Sequence, residues 1–158
     1  MSPVMASSLG VGICCVIWPL IANLTGLSVW IGFAGCTSYF VCGGWKTGFI
    51  KAFVSNYTGM FWAWLIFALG GLSFMQGDSG LVMVLSALAV GFISWGMTYQ
   101  SRIDLASFVP ATFIGCFSSF GAGGDWKMLA ICFVCGHILG LGCSIAGEML
   151  SKVFVKQA

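Results

Sequence analysis

His137 is the one histidine of this 158-residue sequence, and it stands in an apolar stretch, so its company decides what chemistry it could do. Residues 132–137 read CFVCGH, close to the haem-attachment spacing C-x-x-C-H, but Gly136 intervenes. On a helix Cys135 and His137 would point about 200° apart, so two thiols and an imidazole cannot converge on one iron. A soft-metal site on Cys36 and Cys116 is a second option, because thiolates select such ions. No acidic or histidine ligand set accompanies them, and the sequence calls for no cofactor. It also shows no nucleophile–base set and no paired intramembrane carboxylates, which argues against an enzyme. What remains is hydrogen bonding. Asn56 offers a donor and an acceptor. His137 could donate to a solute, gate in response to protons, or only bond across helices. The hydroxyl pairs Thr37-Ser38 and Ser118-Ser119 could line a polar path or bond the carbonyls of their own helices.

The elements that must position these groups follow from composition. The chain is 59% apolar and 6% charged, against about 25% charged in a soluble domain. That leaves too little polar surface for a water-soluble protein. Six apolar runs, near 5–23, 27–42, 49–71, 81–99, 105–121 and 127–149, read as membrane segments. Backbone in lipid must satisfy its own hydrogen bonds, so the segments are predicted as helices. The alternating ten-residue strands of a membrane barrel are not seen. The first run resembles a secretory leader but has no basic residues before it, and five more runs follow; it is read as a retained helix. The connections are short, which predicts one all-α, polytopic membrane domain over 1–158 with the lipid bilayer as its main partner.

The sequence also repeats itself. Gly35, Cys36, Ser38 and Phe40 recur as Gly115, Cys116, Ser118 and Phe120, and Val29 and Phe33 recur as Val109 and Phe113. Gly43-Gly44 matches Gly123-Gly124; one inserted residue, Asp125, precedes Trp126-Lys127, the twin of Trp45-Lys46. In that register Ser55 and Gly59 face Gly136 and Gly140, both small-xxx-small pairs that let helices approach closely. Asn56 then falls opposite His137. Residues 1–75 and 76–158 thus read as two three-helix repeats, and an odd number of spans inverts the second: a 3+3 inverted repeat of six transmembrane helices. Gly-Gly followed by Trp-Lys explains the turns as interfacial helix stops. It does not explain why the small and hydroxyl residues before them recur. Short, Gly-interrupted segments at matching places point to a transport path. Its predicted lining is Cys36, Thr37, Ser38, Cys116, Ser118 and Ser119 with Asn56 and His137. Phe40 and Phe120 are candidate gates, one at each end.

Lys46, Lys51, Arg102, Lys152 and Lys156 fall on one side, and Lys127 with Asp78 and Asp125 on the other. The basic side is predicted to be cytoplasmic, with both termini there. The net charge of +2 then reflects topology and gives no ground for nucleic-acid binding. The eight cysteines, nearly all inside apolar runs, read as small packing residues.

The runs GCTSYF and SFVPATFIGCFSSFGAGGDWK resemble the YcdZ-like family of small bacterial inner-membrane proteins. The match is clearest over 107–127; the first-half turn VCGGWK departs more. The resemblance implies a bacterial inner-membrane location and brings no established activity. Three functions stay open on the residues alone. One is a channel or facilitator for a small neutral or weakly ionised polar solute. Another is a secondary transporter, although the midplane carboxylates of ion coupling are absent. The third is a structural or partner-binding subunit. Small-residue faces favour a homo-oligomer.

Overall fold

The computed structural model describes residues 2–72, 75–77 and 79–154. Asp78 and Lys156, two of the charges used for orientation, lie outside the described residues.

Among the described residues six α-helices form in chain order: α1 Pro3–Thr25, α2 Val29–Val41, α3 Trp45–Gly70, α4 Gly80–Tyr99, α5 Val109–Gly121 and α6 Trp126–Phe154. Two 3-10 turns, Gln100–Arg102 and Asp104–Ala106, join α4 to α5. Local signals set the boundaries. The Ser2 and Ser79 hydroxyls accept from the amides of Met5 and Val82, satisfying donors that the first turns of α1 and α4 leave open. Gly43 and Gly44 close α2 at positive φ, 95° and 68°, and Gly123 and Gly124 close α5 at 59° and 79°. The two turns are wired alike: Gly43 N–H donates to Phe40 O and Gly123 N–H to Phe120 O, each at 3.0 Å.

Among the described residues, four helices are long and apolar enough to cross a bilayer: α1, α3, α4 with the turn after it, and α6. The chain is therefore an all-helical membrane protein. The expectation of six full spans is corrected here. α2 and α5 have 13 helical residues each, about 20 Å of helix against a hydrocarbon core of ~30 Å. The glycine pairs close both helices where the runs stop, and the shortfall is at the other end, where residues 27–28 and 105–108 precede the helices.

Packing pairs short helices with long ones. α2 lies chiefly along α6, and α3 along α5. Each pair runs parallel: Ile31 clusters with Leu129 while Tyr39 packs on Gly140, and Ala52 clusters with Ala111 while Phe67 stacks on Phe120. α1 runs antiparallel along α6, with Gly10 against Gly147. α4 is outermost, burying only Ile93, Gly96 and Met97 of its length. The start of α1 and the end of α6 share the end of the bundle that carries Lys46. At the other end, that of Lys127, the Trp30 ring covers Gly121.

Candidate functional site

Two helix crossings bring the polar residues together. Where α3 meets α5, a Cβ on Gly115 would collide with the Asn56 carbonyl, and one on Gly59 with the Thr112 carbonyl. Where α6 meets α2, a Cβ on Gly136 would collide with the Gly32 carbonyl. These close approaches set Asn56 of α3 beside His137 of α6, both fully buried. Asn56 Nδ2 donates to Ser38 Oγ at 2.9 Å and to the Ala111 carbonyl at 2.8 Å. With the amide nitrogen so engaged, Asn56 Oδ1 is the acceptor that lies 2.8 Å from His137 Nε2. Nε2 therefore carries the hydrogen, and in the neutral ring Nδ1 is an acceptor. Nδ1 has no partner. Ser38 Oγ completes the chain by donating to the Ala34 carbonyl at 3.0 Å.

Aromatic rings wall the imidazole. Phe49 and Phe53 of α3 and Phe133 of α6 stand with ring centroids 5.7, 6.2 and 6.3 Å from it. Their low local polarity strengthens the hydrogen bonds that are made and raises the cost of those that are not. Two further buried hydroxyls, Ser55 Oγ and Ser118 Oγ, also lack partners.

The predicted lining divides. Ser38, Asn56 and His137 meet directly, and Cys36 packs beside Gly136 at the same crossing. Ser118 and Ser119 are buried on α5, where Ser119 Oγ donates to Gly115 O at 2.9 Å. Cys116 belongs to a separate apolar cluster with Ala63, Ile93 and Met97. Thr37 does not face the interior: it is exposed and donates to Phe33 O of its own helix at 3.0 Å. The ~100° step between helix neighbours turns it outward when Ser38 turns in. Phe40 and Phe120 stand at opposite ends of the bundle, 43% and 44% exposed. All eight cysteines are free. Among the described residues no three of His, Cys, Asp and Glu gather as metal ligands.

Sequence reasoning missed a second polar network. Gln100 Nε2 donates to Thr58 Oγ1 and Thr112 Oγ1, each at 3.0 Å, and Trp62 Nε1 donates to Gln100 Oε1 at 2.6 Å. A glutamine just past an apolar run reads as an interfacial stop, and nothing in the sequence ties it to the middle of α3. Tyr39 was missed too. It is fully buried, and its hydroxyl donates to Ser144 Oγ at 3.0 Å while accepting from the Trp45 amide at 2.6 Å.

The profile of the family described as "Protein of unknown function (DUF1097)" matches residues 8–148. The chain belongs to the DUF1097 family. Relatives agree along nearly its whole length. The Escherichia coli K12 "Uncharacterized protein YahC" is 32% identical over 164 residues, covering 99% of this chain and 98% of the relative. The E. coli "Inner membrane protein YcdZ" is 32% identical over 160 residues, covering 100% and 94%. The protein of the same name from Salmonella typhimurium LT2 is 32% identical over 154 residues, covering 96% and 92%. No solved structure matches the chain. Membership in DUF1097 accords with the resemblance carried by residues 107–127 and brings no activity with it.

Proposed function

We propose that this DUF1097 protein is a bacterial inner-membrane facilitator for a small neutral or weakly ionised polar solute, built as a 3+3 inverted repeat with both termini cytoplasmic. One observation carries the reading: His137 Nδ1, Ser55 Oγ and Ser118 Oγ are buried without partners in a lipid-embedded bundle. A buried polar group left without any partner costs about 1–3 kcal/mol, so atoms with no protein partner call for an explanation, and a passing polar solute or water supplies one. Asn56, bonded to both Ser38 and His137, holds the imidazole with its Nδ1 acceptor unused by protein. A solute that donates a hydrogen bond satisfies it.

Symmetry in the packing supports the repeat. α2 on α6 mirrors α5 on α3, and the Gly43 and Gly123 turns share one hydrogen-bond pattern. The packing register differs from the sequence register. Gly59 sits on Thr112 and Cys116, and Gly136 on Gly32 and Cys36, which are repeat counterparts of those two. Gly59 then corresponds to Gly136 instead of Gly140, one helical turn away. Asn56 and His137 are contact partners, and the matched register that paired them as counterparts is shifted. The "inner membrane" wording of the relatives' names supports the location. The outer face of α4, with Leu81, Leu88 and Phe92 exposed, suits contact with lipid chains.

Proteoliposome flux tests the proposal. Uncharged solutes such as urea, acetamide and glycerol should equilibrate faster than across empty vesicles, without accumulating under an imposed proton or sodium gradient. Accumulation under a gradient replaces the facilitator with a secondary transporter. A second reading, a structural subunit, is favoured by the full burial of Asn56 and His137; flux equal to that of empty vesicles establishes it in place of transport.

A further inference from the structure

A cavity of about 360 Å³ opens at the Lys46 end of the bundle, remote from the Asn56–His137 pair. It is lined by the rings of Phe40 and Trp45, the hydroxyls of Ser7, Ser144 and Ser151, and the Glu148 carboxylate. Its size falls within the range of small-molecule sites, ~300–1,000 Å³. At the other end the counterparts of Phe40 and Trp45 are Phe120 and Trp126. There Phe67 fills the space, stacked on Phe120 at 4.9 Å and edge-on to Trp126 at 5.8 Å. The residues of α6 that match Phe67 are Glu148 in the sequence register and Ser144 in the packing register, and both line the cavity. One half of the chain sets a phenyl ring at this place; the other leaves it open, with Glu148 and Ser144 in its lining.

The lining names a ligand class. The Ser7 and Ser151 hydroxyls can both donate and accept, Ser144 Oγ, which accepts from the Tyr39 hydroxyl, can still donate, and the carboxylate accepts. The carboxylate is already paired, since Lys152 Nζ lies 2.6 Å from Glu148 Oε1, so a net cation gains little there. Its second oxygen stays available to accept from hydroxyl groups. Phe40 and Trp45 supply apolar faces for carbon. We infer that this cavity is a binding site for a small neutral solute bearing several hydroxyl groups, a polyol. The inference names the solute class of the proposed facilitator and rests on that reading for its role, though the binding itself does not require flux.

Saturation-transfer NMR on the full chain in detergent micelles tests it, with glycerol, erythritol and a hexitol as probes and methylammonium as the cationic comparison. The polyols should receive saturation and methylammonium should not. Glu148→Gln, at a partly exposed position that leaves the fold intact, should weaken polyol binding about tenfold through loss of a charge-assisted acceptor. Glu148→Phe, which imitates Phe67, should abolish it while Glu148→Gln retains a residual signal. No transfer to any polyol overturns the inference. So does a preference for methylammonium, or an unchanged polyol signal in a Glu148→Phe protein whose melting is that of the parent. Binding with no flux in proteoliposomes would remove the facilitator reading and leave the polyol site standing.

Discussion

Gly115 of α5 lies against the backbone carbonyl of Asn56 on α3, with no room between them for a Cβ. The obstacle is backbone in the middle of a packed helix, which cannot swing aside as a side chain can. Gly115→Ala should therefore destabilise the bundle by about 3 kcal/mol, the upper range for overpacking. Gly142→Ala is the control: its position on α6 has nothing within 4 Å of a new Cβ. That change should be neutral or stabilising by up to about 1 kcal/mol through helix propensity. Thermal unfolding in detergent separates the two.

Removing the Asn56 amide takes the acceptor from His137 Nε2 and a donor from Ser38 Oγ and the Ala111 carbonyl, while Ser38 keeps its bond to the Ala34 carbonyl. Asn56→Ala should cost about 2–5 kcal/mol, the loss of several buried hydrogen bonds and the orphaning of their partners. His137→Gln keeps an N–H that can reach Asn56 Oδ1, so it should melt closer to the parent than His137→Leu does. If His137→Leu matches His137→Gln, the bond at 2.8 Å contributes nothing to the fold.

The two glycine turns start their next helices differently. Asp125 Oδ1 accepts from the Met128 amide at 3.0 Å, an ordinary N-cap for α6. The first turn has no such residue. Trp45 enters α3 at φ 51°, and its N–H donates to the Tyr39 hydroxyl instead. Tyr39→Phe should then cost about 1–3 kcal/mol, through loss of that bond and the one to Ser144. Asp125→Ala should cost about 1 kcal/mol as a lost cap. A larger loss for Asp125→Ala than for Tyr39→Phe would contradict this account.

Phe67 fills the Lys127 end between Phe120 and Trp126. In the facilitator reading Phe67→Ala should raise solute flux in proteoliposomes severalfold, whereas Phe61→Ala, whose ring stacks on Trp64 and not on Phe120, should leave it unchanged. Equal flux in Phe67→Ala and parent would show that this ring is no barrier.

The sequence made the helices and their turns legible because glycine pairs, Trp-Lys and long apolar runs act locally. Ser38, Asn56 and His137 stood out because polar groups are rare in such runs. Thr37 misled because a hydroxyl pair reads as one feature, while a helix sends its two members to different faces. Gln100 was illegible because its partners, Thr58 and Thr112, are set by tertiary packing alone. The register between α3 and α6 was off by one turn for a similar reason: Gly59 and Gly136 match by the carbonyls they touch, and the Trp-Lys anchor that aligned the sequences sits three to four turns away from them. Asp125 reads in the sequence as an inserted residue and a loop charge; its meaning as a cap appears once Tyr39 is seen doing the equivalent work in the other half.

The stubby pair α2 and α5 has an effect on the membrane itself. At 13 residues each is about 20 Å of helix against a hydrocarbon core of ~30 Å, so a recessed end of either would put a glycine turn or a connecting segment within the slab. Irregular backbone at that depth persists only where protein or water covers it. In the facilitator reading, a solute travelling beside these two helices would then leave water for about 20 Å, a thinner dehydration barrier than the bilayer around it.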